Sequence, residues 1–249
     1  MRVSFVHVGD ELLTGQLDPC PSKLIRAVRE RRAEVVLVAV VRDEVEEIVG
    51  ALDLALRDAT DIAVVTGGLG PTLDDVTREA VASFLGAGLR LDEGAVRWMD
   101  EALERMHGSR SQNEVRLRMA RVPEGTSAVC NITGAACGID ARKDGMRIFC
   151  LPGFPNELEP MFERYVLPLV GGEDYVELET TVWKGESTLE PLFQEVASKY
   201  RVRVASLPSV RWREEGNKVV IKGAEEEARR AMEHFLKRLP DLGEELSCR

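Results

Sequence analysis

The sequence predicts an α/β protein: a mostly parallel sheet with helices on both faces, followed by a small α+β domain. Three observations predict it. Short β-branched and aliphatic runs alternate with segments of helical apolar spacing through the first two thirds of the chain, the order that builds parallel sheets. Glycine-rich turns stand directly after these runs, at Gly9 and at Gly67, Gly68 and Gly70. Beyond Gly171-Gly172 the order changes to β-α-β-β-α within a short span, which fits a small open-faced sandwich.

Each element has its own warrant. Residues 3–8 are an apolar run of the buried-strand type. Residues 21–31 place Leu24, Ile25 and Val28 at helical spacing, residues 35–41 form a second strand, and residues 45–56 put Ile48, Val49, Leu52 and Leu56 on one stripe. A third strand, residues 62–65, runs into the glycine turn and then a helix reaching about Phe84, with Asp74 and Asp75 at its N-terminal end. Residues 92–120 read as an amphipathic helix, with Val96, Met99, Leu103 and Met106 on one side, broken at Gly108-Ser109-Arg110-Ser111. A strand over residues 147–151 enters the rigid turn Pro152-Gly153-Phe154-Pro155, after which Asn156 is expected to cap a helix carrying Glu157 in its first turn. The small domain then reads as strand 175–183, helix 189–199, strands 203–207 and 218–222, and helix 224–239. The expected domains are 1–170 and 171–249.

Composition narrows the function classes. A net charge of −10 disfavours nonspecific nucleic-acid binding, which needs a positive surface. No stretch approaches the ~18 apolar residues of a membrane span, and the N-terminus shows no secretory pattern, so a cytoplasmic protein is expected. Five cysteines, without a Cys-x-x-Cys pair, fit neither a zinc site nor a disulfide framework. His7, His107 and His234 lack metal-ligand spacing and read as structural.

The chemistry concentrates where strands end. Ligands of open α/β sheets bind beyond the carboxyl ends of the strands. Glu11, Asp43 and the Gly67–Asp75 segment all follow strands directly, so three separate regions are expected to meet at one edge. The backbone over residues 67–70 can approach and hold phosphate oxygens. There is no Lys-Ser/Thr pair, hence no Walker A loop, and the glycine spacing is not the dinucleotide fingerprint. Asp43, Asp74 and Asp75 are the candidate catalytic groups, with Asp43 and Asp75 facing a divalent metal, magnesium by chemistry, because carboxylates beside a phosphate-bearing ligand repel it unless a divalent cation bridges them. At a helix end, losing the Asp75 charge should cost folding under about 1 kcal/mol. A covalent mechanism is not expected, since no nucleophile motif is present.

The motif 66–77, TGGLGPTLDDVT, resembles the signature of the molybdenum-cofactor biosynthesis fold, and most of all that of the CinA-like competence/damage-inducible proteins. Gly9-Asp10-Glu11-Leu12-Leu13-Thr14-Gly15, Val41-Arg42-Asp43, Val122-Pro123-Glu124-Gly125, the run Asn131 to Gly138, and Leu151-Pro152-Gly153-Phe154-Pro155-Asn156-Glu157 with Pro160-Met161 resemble further motifs of the same family, in the same order. The resemblance implies a molybdopterin-binding-like first domain and a KH-like second one. It implies ligand contacts from Gly9, Asp10, Glu11, Thr66, Gly67, Gly68, Gly70, Thr72, Asn131, Gly134, Pro152 and Gly153.

It also implies a metal-dependent pyrophosphatase acting on ADP-ribose-like nucleotides; the alternatives are a pterin-phosphate-binding module and a non-catalytic scaffold. A homo-oligomer is expected. The family's long forms continue into an amidohydrolase part that this sequence does not include, so no deamidation is expected. Two departures stand out. Pro19-Cys20-Pro21 occupies the place of Asp-Thr-Asn, and Gly134-Ala135-Ala136-Cys137-Gly138 that of Gly-Thr-Ala-Pro-Gly. The first removes a carboxylate and an amide from the expected pocket.

Overall fold

The computed structural model describes residues 1–15, 22–108, 113–171 and 175–242. Pro19-Cys20-Pro21 and the Ser109-Arg110-Ser111 break lie outside the described residues. Two compact units form, Met1–Gly171 and Gly172–Arg249.

In the first unit the elements run β1 (Arg2–Val8), α1 (Asp10–Leu13), α2 (Ser22–Glu30), β2 (Glu34–Val41), α3 (Val45–Arg57), β3 (Ile62–Thr66), α4 (Thr77–Leu85), β4 (Leu89–Leu91), α5 (Glu93–His107), α6 (Glu114–Leu117), β5 (Arg121–Pro123), β6 (Ser127–Val129), β7 (Gly138–Lys143), β8 (Met146–Leu151) and α7 (Pro155–Met161). The sheet order is β2-β1-β3-β8-β7-β6. The first four strands are parallel, and β7 and β6 add antiparallel.

Strand alternation divides the core in two. Val6, Val8, Ala63, Val65 and Ile148 face a cluster with Ile48 and Leu52 of α3 and Val81 of α4. Val3, Phe5, Val64, Phe149 and Leu151 face another with Leu24 and Val28 of α2 and Met161 of α7. Helices thus cover both faces, as expected of strands buried on both sides.

Three expectations need correction. The helix after the glycine turn begins at Thr77 with Val76 as its cap, so Asp74 and Asp75 lie in the loop ahead of it, not at its first turn. The helix after the Pro-Gly turn is capped by Phe154 with Pro155 at its first position, so Asn156 is already inside it; proline's fixed φ favours that place. The 92–120 segment does not hold one broken helix throughout: α5 ends at the left-handed Gly108, and after α6 a single 3-10 turn leads into β5.

The second unit comprises β9 (Tyr175–Val182), α8 (Glu186–Lys199), β10 (Val202–Leu207), α9 (Trp212–Glu215), β11 (Asn217–Ala224) and α10 (Glu225–Arg238). Its antiparallel sheet, β10-β11-β9, packs Val219 and Ile221 against Leu189, Phe193, Met232 and Phe235 of the two long helices. No helix among the described residues is long and apolar enough to cross a membrane.

Candidate functional site

Register brings the candidate segments to one edge. Val8 lies beside Val41, His7 beside Thr66, Thr66 beside Leu151, and Ile139 beside Cys150. The residues that follow Val8, Val41, Thr66 and Leu151, and those that precede Gly138, therefore emerge in a row. Gly9 N–H donates to the Val41 carbonyl (3.1 Å), and Gly67 N–H to that of Leu151 (3.0 Å).

The acidic side of the row is formed by α1 and the turn after β2. The Asp10 amide donates to the Asp43 carboxylate (2.9 Å). Burial pushes the Asp43 carboxyl above its ordinary range; the Asp10 amide pulls it back, and the charges of Glu11, Asp10 and Asp74 add to the rise. Asp74, exposed, is held low, chiefly by the Thr72 side chain beside it. Three carboxylates, those of Glu11, Asp10 and Asp74, thus press on Asp43.

Asp75 is placed differently. Its carboxylate accepts from the Gly70 amide (2.7 Å), the Thr72 amide (2.9 Å) and the Thr72 hydroxyl. It closes the glycine loop from inside, so that of the amides expected to hold phosphate those of Gly70 and, bound to Leu151, Gly67 already have a partner. The remaining amides of the loop, those of Gly68 and Leu69, donate to nothing among the described residues. Asp75→Asn should therefore cost about 1–2 kcal/mol of folding, because an amide nitrogen would meet a backbone N–H. Ligand-free melting measures this: a melting temperature lower by about 2–8 °C is expected, and an unchanged one would return Asp75 to a surface role.

The glycines, expected to clear space for a ligand, are filled by protein. A Cβ on Gly67 would stand 2.2 Å from the Val8 carbonyl oxygen, and one on Gly68 2.4 Å from Thr77 Oγ1. Both adopt positive φ, +95° and +63°. Thr77 fastens the loop further: its amide donates to the Gly68 carbonyl (3.1 Å) and its hydroxyl to that of Gly67 (2.8 Å). Gly153 abuts Gly67, the Cα of which lies 3.2 Å from a Cβ built there, and Pro152 is buried.

Thr66 is buried too, its hydroxyl 2.6 Å from His7 Nδ1. His7 stacks on Phe5, and burial pushes its pKa down to about 4, so the ring is neutral. Thr66 thus serves the strand edge rather than the open row. His234 pairs with Glu195 (2.8 Å) in the second unit.

At the far side of the row Asn131 organises the segment before β7. Its oxygen accepts from the amides of Thr133 (3.1 Å) and Gly134 (2.8 Å), and its nitrogen donates to the Ala136 carbonyl (3.1 Å) and to Glu157 of α7 (2.6 Å). Gly134 is required by this knot, since a Cβ there would meet Glu157 at 2.1 Å. Asn131 and Gly134 shape a turn at the β7 end, whereas Gly9, Asp10, Glu11 and Asp43 gather at the β1–β2 end.

Sequence reasoning missed Arg78. Its guanidinium, 2% exposed, donates to the carbonyls of Leu69 (2.7 Å), Met119 (2.9 Å), Arg121 (3.0 Å) and Cys137 (3.2 Å). It holds the glycine loop, the turn before β5 and the start of β7 in one geometry. Together with Gly70, Asp75, Glu79, Leu89, Arg118 and Arg121 it lines a small cleft behind the loop.

A family model described as "Probable molybdopterin binding domain" matches residues 4–172. The chain belongs to this family. Relatives include the Pyrococcus horikoshii protein PH0439, 34% identical over 82% of this chain and 82% of its own length. A Streptococcus uberis protein described as competence-damage inducible is 36% identical over 80% of this chain, but only 48% of its own length. Among solved structures, CinA of Thermoplasma acidophilum, itself of unknown function, aligns with a TM-score of 0.59 at 31% identity, covering 65% of this chain and 94% of that one. The CinA-like resemblance of the motifs therefore holds, and so does the mostly parallel fold with its small antiparallel partner unit.

Proposed function

We propose that the row at the strand ends binds a small phosphate-bearing ligand and hydrolyses a nucleoside pyrophosphate of the ADP-ribose type. The observation that supports this reading most is the crowding of Asp43 by Glu11, Asp10 and Asp74 beside a glycine loop. A half-buried carboxylate among like charges favours a cation, and magnesium is commonly held by one or two carboxylates together with substrate phosphates. Among the described residues no group of three or more His, Cys, Asp or Glu is set to hold a metal alone, so the donor set fits magnesium shared with the ligand and not a closed protein cage.

Asp43, with Asp74 or Glu11, would hold the ion, which when bound would neutralise the pyrophosphate charge. The Gly68 and Leu69 amides would donate to phosphate oxygens, and a carboxylate would orient the attacking water. The water oxygen joins one phosphorus and yields a proton to that carboxylate, the bond from that phosphorus to the bridging oxygen breaks, the bridging oxygen leaves with the electron pair on the other phosphate, and a nucleoside monophosphate and a sugar phosphate are released. The family description favours a second ligand class, a pterin phosphate, at the same row.

Asp43→Asn separates these ideas from a structural role. The variant keeps an acceptor for the Asp10 amide and removes the charge. Turnover of ADP-ribose with magnesium is expected to fall about 100-fold or more. Ligand-free stability is expected not to fall. The folded state raises the Asp43 pKa, so this group favours folding at acid pH and that contribution is lost as pH rises through the raised value. Melting with ADP-ribose, NAD, FAD and a pterin phosphate, each with and without magnesium, reads binding as RT ln(1 + [L]/Kd). Stabilisation by the pterin alone would replace the first reading with the second; stabilisation by none would refute both.

A further inference from the structure

We infer that Thr77 is the positioning residue of the phosphate site: it holds two carbonyls of the glycine loop from behind and so aims the Gly68 and Leu69 amides, as a pair, at one phosphate group. This role rests on the reading of the row as a phosphate site. It assigns to one buried hydroxyl a share of that site's affinity.

The loop's peptide units differ in which of their two ends are occupied. In the unit between Thr66 and Gly67 the N–H goes to the Leu151 carbonyl (3.0 Å). In the unit between Leu69 and Gly70 both ends are closed, the carbonyl by Arg78 (2.7 Å) and the N–H by Asp75 (2.7 Å). The two units between them are closed at one end only. The Gly67 carbonyl accepts from the Thr77 hydroxyl (2.8 Å) and the Gly68 carbonyl from the Thr77 amide (3.1 Å). Their N–H groups, those of Gly68 and Leu69, have no acceptor among the described residues. A trans peptide unit is planar, with its C=O and N–H pointing opposite ways, and none of the described bonds is cis. Two carbonyls that meet at one residue therefore send the two following N–H groups to the other side of the loop, away from Thr77 and the start of α4.

Thr77 suits this task. It is fully buried, its branched side chain has few rotamers, and it opens α4, which Val81 and Phe84 fix in the core. Two successive N–H groups on one side of a fixed turn suit the oxygens of one phosphate, and hydrogen bonds to an ionised acceptor are stronger than neutral ones. Arg78 acts instead on the unit whose ends are both closed, so it sets the loop's stability and not the direction of its free donors.

Titration of the full chain with AMP and magnesium, followed by nitrogen–proton correlation spectra, tests this role. AMP is a product of the proposed cleavage and has no pyrophosphate bond left to lose. In the wild type the Gly68 and Leu69 amide protons are expected to move downfield, and those of Gly67 and Gly70, already bonded within the chain, to move less. Thr77→Val keeps the shape and the backbone amide but removes the hydroxyl. It is expected to weaken AMP binding about tenfold. It should also blunt the Gly68 shift more than the Leu69 shift, because the Gly68 carbonyl keeps the amide of residue 77. Thr77→Ser keeps the hydroxyl and loses a buried methyl, so it should melt lower than wild type yet bind AMP within about twofold. A role confined to stability would make affinity follow melting temperature in both variants. Thr77→Ala, which also lacks the hydroxyl, repeats the comparison if the valine variant does not fold, and the wild-type titration stands whether or not either folds. Wild-type shifts elsewhere in the row but not at Gly68 and Leu69, or equal affinity of the valine and serine variants, would overturn the role of Thr77 and leave the phosphate site standing. Binding of neither AMP nor ADP-ribose would overturn the site, and with it this role.

Discussion

Arg78→Met is expected to destabilise the first unit by about 2–4 kcal/mol and to lower its melting temperature by about 10 °C. The variant fills most of the volume but returns no donor. The Met119 carbonyl keeps the amide and thiol of Cys137 as partners. The Leu69 carbonyl receives only Arg78 among the described residues, so the loss falls on the glycine loop, where each buried orphan costs about 1–3 kcal/mol. Removing a buried charge returns part of this, because its desolvation penalty disappears, which keeps the estimate below the sum of the bonds.

Arg78→Lys tests the geometry. One ammonium cannot reach carbonyls from four separate positions as a planar fork does. Lysine is therefore expected to recover less than half of the lost stability. Melting of Arg78→Lys within 1 °C of wild type would show that only the charge matters.

Much of the fold was legible because burial on both faces writes itself as long apolar runs. Residues 3–8, 62–65 and 147–151 are such runs and became buried parallel strands, while the apolar run 35–41 became the partly accessible edge strand. The shorter strands β4, β5 and β6 carry three residues each, too few for a period to show. β7, with Asp140 and Arg142 among its six residues, has no continuous apolar run; Asp140 is paired with Arg147 of the next strand (2.6 Å), a contact that sequence spacing does not announce.

The site was legible as a set of turns and less so as a set of roles. Motif order located the row, since strand ends share an edge in any parallel sheet. It could not say that Asp75 faces inward and Asp43 outward, because both follow glycine or strand residues in similar fashion. Arg78 gave one signal: it sits between Thr77 and Ala80-Val81, all buried, on a short helix whose neighbours are apolar. A charge in such a place is either paired or out of register, and four carbonyls turned out to be its partners.

Gly67→Ala is expected to destabilise the first unit by about 4 kcal/mol. Two costs add. The φ of +95° is a backbone state that residues with a Cβ hold only at about 1–3 kcal/mol. The new methyl would also stand 2.2 Å from the Val8 carbonyl oxygen, and forced contact in a packed interior costs about 1–3 kcal/mol more. The usual escape, a small backbone shift, is blocked on three sides. Gly67 N–H is tied to Leu151, its carbonyl takes the Thr77 hydroxyl, and its Cα lies against Gly153.

A melting temperature lower by about 10 °C or more is expected. Gly50→Ala is the matched control: Gly50 lies inside α3 with nothing within 4 Å of a built Cβ, so the same methyl should stabilise by up to about 1 kcal/mol. The sign of the difference decides between two accounts of the glycine loop. If Gly67→Ala melts like wild type and loses only ligand binding, the glycine serves the ligand's approach. If it melts early, as these contacts require, the loop is first a joint between β1, β3 and β8, and the ligand uses a shape that folding had already imposed.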